Sequence, residues 1–306
     1  MITLDHRLFL QQDYALLGSA TETGDFDLAG VPCIALAPEG IAFPAGVAPQ
    51  LVVLRGLSDD QRLALLDRAE AAWQPGEVFV FQALLQSTDD ETRVAGHLRS
   101  RMIKRRTADR SYWLRLHDPR VFSQLCGILQ PWQLADLMGP VQGWTGCDPT
   151  QRTWWRQLRP IHDTDVDLAW SPAQWDQVFR IELVNRVLRT LLRQGAVHEA
   201  DPALGRRVDA AIVRAVEVEQ LQQPRDQEAF AVHAVIHGER LFQHPRMKAC
   251  LQEVRDSGAS YVGGVAGLDL QALSAAMAAA QHAGVMAHTG MDGEHAGSTN
   301  QGVRHG

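Results

Sequence analysis

The sequence predicts an α+β or α/β amino-terminal lobe followed by an all-helical carboxy-terminal lobe. Over the first half of the chain, short apolar or alternating runs bounded by Gly, Pro or Asp lie between runs with helical spacing. After about Ala169 every apolar pattern has the helical period, and the final residues are rich in Gly, His, Ser and Asn. We therefore predict an α/β lobe over residues 1–165, a helical lobe over 166–283 and a flexible tail over 284–306.

Strands in the first lobe are predicted by short apolar or alternating runs that end at turn residues. They are Tyr14–Leu17, Gln50–Leu54, Val78–Leu85 and Tyr112–Leu116. One helix follows Ser58-Asp59-Asp60 and stops at Pro75-Gly76. Another opens at Thr88 to Glu91, where acidic residues in the first turn and basic residues in the last turns suit the helix dipole.

The second lobe is predicted to contain five helices. The first begins at Ser171-Pro172 and carries an apolar stripe from Ile181 to Leu191, with arginines off that stripe. The other helices are predicted at Ala203–Leu221, Arg225–His237, Pro245–Arg255 and Leu268–Ala283.

Composition and charge limit the compartment and the partners. Hydrophobic residues make up 45% of the 306 residues, so a sizeable core can form. The net charge of −7 disfavours general affinity for nucleic acid or for an anionic membrane. No signal peptide or membrane span is visible, and the four cysteines lack zinc-site spacing. We therefore expect reduced thiols and a cytoplasmic protein, with neither nucleic acid nor membrane as a partner.

The sequence contains none of the common catalytic or cofactor motifs. It has no Walker A sequence, no GxGxxG after a strand, no GxSxG and no HExxH. His162–Asp167 offers one His and three carboxylates, but it lacks the central Gly and terminal Glu of a calcium loop. His233 and His237 share a predicted helix face without a third ligand between them. We predict no catalytic residue, no metal and no cofactor, and hence a protein that is not an enzyme.

The residues from Arg93 to Arg115, here called the basic strip, carry eight basic side chains against the single acid Asp109. Three interpretations are open: a solvated helix end with a charged connection, a docking face for an acidic partner, or a nucleic-acid surface. No aromatic residue lies within 93–110 to stack on bases. An enzyme that binds a small anionic substrate through the strip is a further alternative. The candidate partner contacts here are Arg101, Arg105 and Arg106.

A distinctive passage, Ser111 to Phe122, is predicted to be a strand that leads into a helix start. Asp118 is a good N-cap, and Pro119 has the fixed φ preferred in the first turn. We expect Arg115 to form an ion pair with Asp118 at the end of the strand. Because Asp118→Ala removes this cap, we predict that it lowers the free energy of unfolding by about 1 kcal/mol.

Five segments, in this order, carry a family resemblance. They are Tyr14-Ala15-Leu16-Leu17, Pro49-Gln50-Leu51-Val52-Val53-Leu54, His97-Leu98-Arg99, Arg115 with Asp118-Pro119-Arg120, and Gly139-Pro140-Val141 with Trp144. The order and approximate spacing resemble the type VI secretion effector-chaperone family, the Tap/Tec adaptors, first catalogued as a domain of unknown function. Many members carry Asp-Gly-Ala after the first strand, where this chain has Gly18-Ser19-Ala20.

The resemblance implies a cytosolic adaptor without enzymatic activity. Such proteins bind the amino-terminal region of a toxic effector, keep it soluble and load it onto the carboxy-terminal region of the spike protein VgrG. This role needs a grooved surface, for which aromatic side chains near the junction of the lobes are candidate anchors. The candidates are Trp154, Trp155, Trp170 and Trp175, and the alternative is that they build the core between the lobes. The motif residues themselves are expected to be mainly structural.

Overall fold

The computed structural model describes residues 4–19, 26–28, 30–38, 46–73, 79–148, 153–161, 168–197 and 202–291. The chain divides into two compact units, Met1–Arg206 and Arg207–Gly306. The first holds a β-sheet with helices and the second is helical, which confirms the predicted α+β lobe followed by a helical lobe. The predicted lobe boundary between residues 165 and 166 lies outside the described residues.

A sheet of six described strands forms the framework of the first unit. The strands are β1 (Tyr14–Leu17), β2 (Cys33–Ala35), β3 (Gln50–Val53), β4 (Phe81–Gln86), β7 (Gly143–Asp148) and β8 (Thr153–Leu158). They lie in the order β2-β3-β1-β4-β7-β8, and every neighbouring pair is antiparallel. Antiparallel pairing places the lobe in the α+β class rather than the α/β class.

Between β4 and β7 the chain forms helices and a separate two-stranded hairpin. The hairpin pairs β5 (Ile103–Thr107) with β6 (Arg110–Trp113). The helices of this unit are α1 (His6–Leu10), α2 (Asp59–Ala72), α3 (Glu91–Met102), α4 (Pro119–Ile128), α5 (Pro131–Met138) and α6 (Pro172–Arg193). A capping box closes the start of both α2 and α6, where Ser58 and Ser171 are the N-caps.

Both faces of the sheet are covered, because successive side chains on each strand point to opposite sides. On β1, Tyr14 and Leu16 join one core cluster, whereas Ala15 and Leu17 join the other. The first cluster includes the buried sides of α3 to α6, and the second includes α1 and α2. The sheet therefore has no solvent-facing side at its centre.

The second unit packs helices around an aromatic centre. The Phe230 and Phe242 rings stack with centroids 4.0 Å apart. Nearby, the buried carboxylate of Glu219 accepts from Arg214 at 3.2 Å and from Arg255 at 3.3 Å. The elements are α7 (Pro202–Glu217), which starts just before the unit boundary, α8 (Pro224–His237), a 3-10 helix (Glu239–Gln243), α9 (Pro245–Ser257), α10 (Tyr261–Val265) and α11 (Leu270–Met291).

The bounds of two predicted strands are wrong by more than one residue. The strand expected at Val78–Leu85 is β4, which covers Phe81–Gln86. The strand expected at Tyr112–Leu116 is β6, which covers Arg110–Trp113 and pairs with β5 outside the main sheet. After Trp113 the backbone turns, because Leu116 N donates to the Leu114 carbonyl at 2.8 Å. Leu114 and Leu116 are nevertheless buried. The alternation of apolar residues in this segment therefore indicates which side chains are buried, although the strand itself ends at Trp113.

The last helix is longer than predicted. Helix α11 reaches Met291, so residues 284–291 of the predicted tail are helical, and 292–306 lie outside the described residues. Ala283, Met286 and Ala287 are good helix formers, which favours continuation of the helix past its predicted end. No described helix combines the length and apolarity that crossing a bilayer requires.

We expect acid to destabilise the second unit through His233. The ring Nδ1 lies 2.9 Å from Tyr261 Oη, and burial together with the neighbouring His237 lowers the pKa of His233 to about 4. An unfolded histidine titrates near pH 6.5, so the unfolded state takes up the proton first as the pH falls. The free energy of unfolding should therefore fall as the pH drops from about 6.5 to about 4. Urea unfolding of the full chain across this pH range measures the effect.

The variant is His233→Gln, which removes the titrating ring but keeps a polar side chain near Tyr261. It should flatten part of the pH dependence, whereas Gln252→Ala, at an exposed position on α9, is the control and should leave it unchanged. An identical pH dependence in the wild type and in His233→Gln would contradict the assignment.

Candidate partner-binding site

A buried carboxylate organises the turn between the hairpin and α4. Asp118 caps α4 by accepting from Arg120 N at 2.9 Å, as its position before Pro119 predicts. The Arg120 guanidinium binds the same carboxylate through Nε at 2.9 Å and Nη2 at 2.8 Å. Arg115 Nη2 lies 3.4 Å from it, which confirms the expected ion pair. The Asp118 side chain is 5% exposed, whereas those of Arg115 and Arg120 are 41% and 32% exposed.

The two arginines determine the charge state of Asp118. Burial alone raises the pKa of this carboxyl, but the Arg120 hydrogen bonds and the positive charges of Arg120 and Arg115 outweigh it. The net result is a pKa of Asp118 below its usual value. The group is therefore ionised at neutral pH, and its charge is compensated inside the protein.

A pocket of about 390 Å³ opens beside this carboxylate, between the β5–β6 hairpin, α4 and α6. We call it the hairpin pocket. Its apolar lining consists of Tyr112, Trp113, Leu114, Val121, Trp175, Val178, Phe179 and Ile181. Its polar lining consists of Lys104, Arg115, Asp118, Arg120, Glu182, Asn185 and Arg189. The pocket is thus aromatic inside and mainly cationic at its edge.

Aromatic rings form a continuous surface along one side of the hairpin pocket. The Tyr112 ring lies 5.5 Å from the Trp175 ring and 5.0 Å from the Phe179 ring. The Arg106 guanidinium lies 5.1 Å from the Phe179 centroid, within cation–π range. Trp113 and Phe179 are 37% and 44% exposed, so large apolar area faces solvent here.

Apart from Tyr112 and Trp113, the polar side chains that line the hairpin pocket are four cations, two acids and one amide. Asp118 accepts hydrogen bonds from Arg120 and forms an ion pair with Arg115. The described part of the chain contains no group of three His, Cys, Asp or Glu side chains able to hold a metal ion. What the pocket offers is apolar contact together with guanidinium and ammonium donors.

The basic strip is not one continuous surface. It runs along the end of α3 and through both hairpin strands, instead of a helix end followed by a connection. Four of its cations lie near carboxylates of this chain. The pairs are Arg93–Asp89 (2.9 Å), Arg101–Asp136 (2.7 Å), Arg106–Asp176 (3.8 Å) and Arg115–Asp118 (3.4 Å). All four acids lie outside the strip. Asp89 and Asp118 are three or four residues from their partners in sequence, whereas Asp136 and Asp176 are distant from theirs.

Of the three strip residues proposed as partner contacts, Arg101 has the shortest ion pair within the chain. Arg101 binds Asp136 on α5, which fastens α3 to α5. Arg105 and Arg106 are exposed on β5. Arg106 contacts Phe179 at the edge of the hairpin pocket, so it is the member of this trio that the structure places closest to the pocket.

The first two motif segments lie side by side in the sheet. Leu16 on β1 is directly opposite Leu51 on β3, and both are fully buried. The Pro49 carbonyl accepts from Leu36 N at 2.8 Å, which continues the β2–β3 pairing. Tyr14 Oη donates to the Asp89 carbonyl at 2.7 Å, just before α3 begins. These contacts support the structural role expected for this pair of segments.

Arg55 is a residue that the sequence reasoning missed. Its guanidinium donates to the Asp89 carbonyl at 2.7 Å and the Ser87 carbonyl at 2.9 Å, and it lies 5.2 Å from the Tyr14 ring. It therefore holds the segment leading into α3 against β1 and β3. No local pattern in the sequence marks it, because all these partners are distant along the chain.

The later motif segments lock α3 and α5 together. Because a carbonyl can only accept, His97 Nε2 donates to Leu137 O at 3.0 Å. Gly139 has a φ of +52°, and a Cβ at this position would overlap the His97 ring. Leu98 is fully buried, and the Arg99 guanidinium donates to the Ala35 carbonyl of β2 at 2.6 and 3.0 Å.

The remaining motif residues continue the same packing. The Pro140 carbonyl accepts from Ser87 Oγ at 2.8 Å, in a buried position. The Trp144 ring on β7 stacks on Phe122 of α4, with centroids 4.0 Å apart and an interplanar angle of 5°. Asp118 and the helix it caps are thus fixed to the sheet, which positions one wall of the hairpin pocket.

The four candidate tryptophans do not form one surface. Trp154 is 3% exposed and contacts Phe79 in the cluster under α2. Trp155, its neighbour on β8, points to the other face and stacks near Phe122. Trp170 and Trp175 are buried with their rings 5.1 Å apart, and Trp175 lines the hairpin pocket. All four belong to the first unit.

The sequence reasoning also missed Phe179 and Arg189, which line the hairpin pocket from α6. A signal for Phe179 was present: a large aromatic residue lies off the apolar stripe of a long amphipathic helix. Its meaning depends on which element packs beside that helix, and sequence periodicity alone does not specify a partner.

We expect Gly139→Ala to lower the free energy of unfolding by about 2 kcal/mol, because it adds backbone strain at positive φ and an overlap with His97. In a His97→Ala background the overlap disappears, so the same substitution should cost only about 1 kcal/mol. The control is Gly127→Ala in α4, where an added Cβ meets open space. Urea denaturation of the four variants tests this, and strict additivity of the two substitutions would contradict the proposed contact.

We expect Asp118→Ala to lower the free energy of unfolding by about 2 kcal/mol at neutral pH, more than a lost cap alone, because two arginines lose their partner. Asp118→Asn keeps a capping oxygen and should cost about half as much. A carboxyl with a lowered pKa stabilises the fold above its unfolded pKa near 3.9 and ceases to do so as the pH falls through the folded value. The gap between wild type and Asp118→Asn should therefore close below about pH 4 in urea unfolding. Equal stability of all three proteins at neutral pH would show that the charge is unimportant.

Comparison with known proteins gives one match. A family model described as Domain of unknown function (DUF4123) matches residues 41–136, which run from before β3 into α5. Searches of curated proteins and of solved structures found no match. The matched range includes the hairpin and α4, two of the walls of the hairpin pocket, whereas α6 lies beyond it. Over nearly a third of its length, this chain is similar to a domain of unknown function.

Proposed function

We propose that this chain is a cytoplasmic adaptor of type VI secretion. In this role it binds the amino-terminal region of a toxic effector and keeps that effector soluble. It then delivers the effector to the carboxy-terminal region of the spike protein VgrG. The chain itself performs no chemistry on its partners.

The hairpin pocket is the observation that carries this proposal. It combines exposed aromatic rings with arginine side chains, the residue types that dominate binding energy at protein interfaces. Its Arg115-x-x-Asp118-Pro119-Arg120 edge is one of the segments that resemble the adaptor family. The similarity to the DUF4123 domain over residues 41–136 covers the same edge and supports this reading.

The physical demands on an adaptor fit a pocket of this kind. A chaperone must release its client at the spike, so its affinity has to be finite. A small open pocket with a few anchoring contacts gives moderate affinity, because ordering and desolvation costs offset much of the buried area. A mainly apolar and aromatic interior also shields the kind of segment that would otherwise cause an effector to aggregate.

The distribution of charge favours a protein partner over nucleic acid. Affinity for a phosphate backbone depends on an array of cations that can displace counterions. Here Arg93, Arg101 and Arg106 lie near carboxylates of the chain, and the protein carries a net charge of −7. These features reduce the positive potential that a phosphate backbone would meet.

We expect deletion of this chain's gene to lower the soluble level and the secretion of the effector encoded beside it. Co-expression should recover a stable complex between the full chain and the amino-terminal region of that effector, measured by affinity purification and size-exclusion chromatography. A second effector from another secretion cluster serves as the control and should not co-purify. Normal effector solubility and secretion in the deletion strain would contradict the proposal.

A further inference from the structure

We infer that the hairpin pocket is where the effector docks, and that the occupant is a protein segment with one large apolar side chain flanked by carboxylates. This inference rests on the proposed function and adds the location and chemistry of the contact. Three features of the pocket support it: the apolar interior, the charge at the edge and the ordered side chains between them.

The apolar interior defines the anchor. Trp175 and Ile181 are almost fully buried at the base, and Phe179 and Trp113 remain 44% and 37% exposed at the opening. The volume of about 390 Å³ lies near the lower end of the range of about 300–1,000 Å³ typical of ligand pockets. This space admits one or two large side chains, so a short segment inserts an anchor while the rest of the partner stays outside.

The edge of the pocket defines the flanking charge. Its lining has four cations, Lys104, Arg115, Arg120 and Arg189, and two acids, Asp118 and Glu182. Asp118 is buried between Arg115 and Arg120, and Glu182 accepts from Arg186 at 3.0 Å. The excess of two positive charges (four minus two) is complementary to carboxylates on the partner.

The groups that would meet the partner are held in place before binding. The Arg120 guanidinium is fixed by two hydrogen bonds to Asp118, and Lys104 lies over the Trp170 ring at 4.8 Å. Arg106 lies over Phe179, and its Nη2 is 3.8 Å from Asp176. Ordered side chains lose less conformational entropy on association, which favours recognition by this small area.

Two exposed side chains from α6 separate the apolar and charged contributions. Phe179→Ala shortens the aromatic surface, and Arg189→Glu reverses one charge at the edge. The matched controls are Leu158→Ala, which is 59% exposed on β8, and Arg193→Glu, one turn along α6 and outside the pocket lining. All four positions are accessible, so the melting temperature of each variant should stay close to that of the wild type.

The probe is the amino-terminal region of the effector encoded beside this chain, titrated against the full chain by calorimetry. Phe179→Ala should weaken binding about tenfold or more, as expected for an aromatic anchor. Arg189→Glu should weaken it about fivefold and make the affinity less sensitive to salt. The two controls should bind within about twofold of the wild type, since residues away from an interface rarely contribute.

Charge exchange provides the sharpest test. A Glu→Lys or Asp→Lys scan of the effector segment should find a variant that binds the wild type poorly but binds the Arg189→Glu chain better. Citrate, a small anion, is tested in parallel by its effect on the melting temperature. If citrate stabilises the wild type through Arg189 while Phe179→Ala and Arg189→Glu leave effector binding unchanged, the pocket is a small-anion site and the inference is overturned.

The outcomes for the two proposals are distinct. If the effector region does not bind the wild-type chain at all, the adaptor function fails, and the docking site fails with it. If it binds the wild type but binds Phe179→Ala and Arg189→Glu equally well, the adaptor function survives and the hairpin pocket is not the docking site.

Discussion

The geometry around the hairpin pocket depends on one buried carboxylate. Asp118 lies between the β5–β6 hairpin and α4, where it is the N-cap of the helix. Its carboxylate also binds the guanidinium groups of Arg115 and Arg120. A charge buried in this way is tolerated only because both arginines and the helix start compensate it. The same arrangement brings positive charge to the surface beside an apolar opening. Stability and the proposed recognition therefore depend on the same group, so substitutions at Asp118 should affect both.

The motif residues act together as a packing unit although they are scattered along the chain. His97 and Gly139 are separated by more than forty positions, yet the ring of one occupies the space that a side chain on the other would need. Tyr14 and Arg55 meet at the carbonyl of Asp89, directly before α3. In this chain the motif residues thus form contacts that hold the helices on the sheet. The exposed residues of the pocket, which differ in kind, are better candidates for partner contact.

Local features were predictable from the sequence, and contacts between distant elements were not. The bounds of β1 and the cap of α4 followed from short apolar runs and from Asp118-Pro119, because these signals act within a few residues. Strand β5 and its pairing with β6 were missed, because β5 is rich in exposed basic residues and lacks clear alternation. The pocket exists only because α6 packs beside the hairpin, and no local sequence pattern in either segment predicts that contact. The carboxylates that pair with Arg101 and Arg106 were hidden for the same reason.

The Arg99 contact has a consequence for how the sheet meets other chains. Strand β2 is at the edge of the described sheet, where unpaired backbone groups can recruit a foreign strand. The Arg99 guanidinium occupies the Ala35 carbonyl with two donors, so an acceptor that an incoming strand would need is already engaged. One side chain of α3 therefore occupies a hydrogen-bond acceptor at the edge of the sheet. This contact lowers the capacity of the β2 edge to add a strand from another chain, which a protein handling aggregation-prone partners, as proposed here, would need.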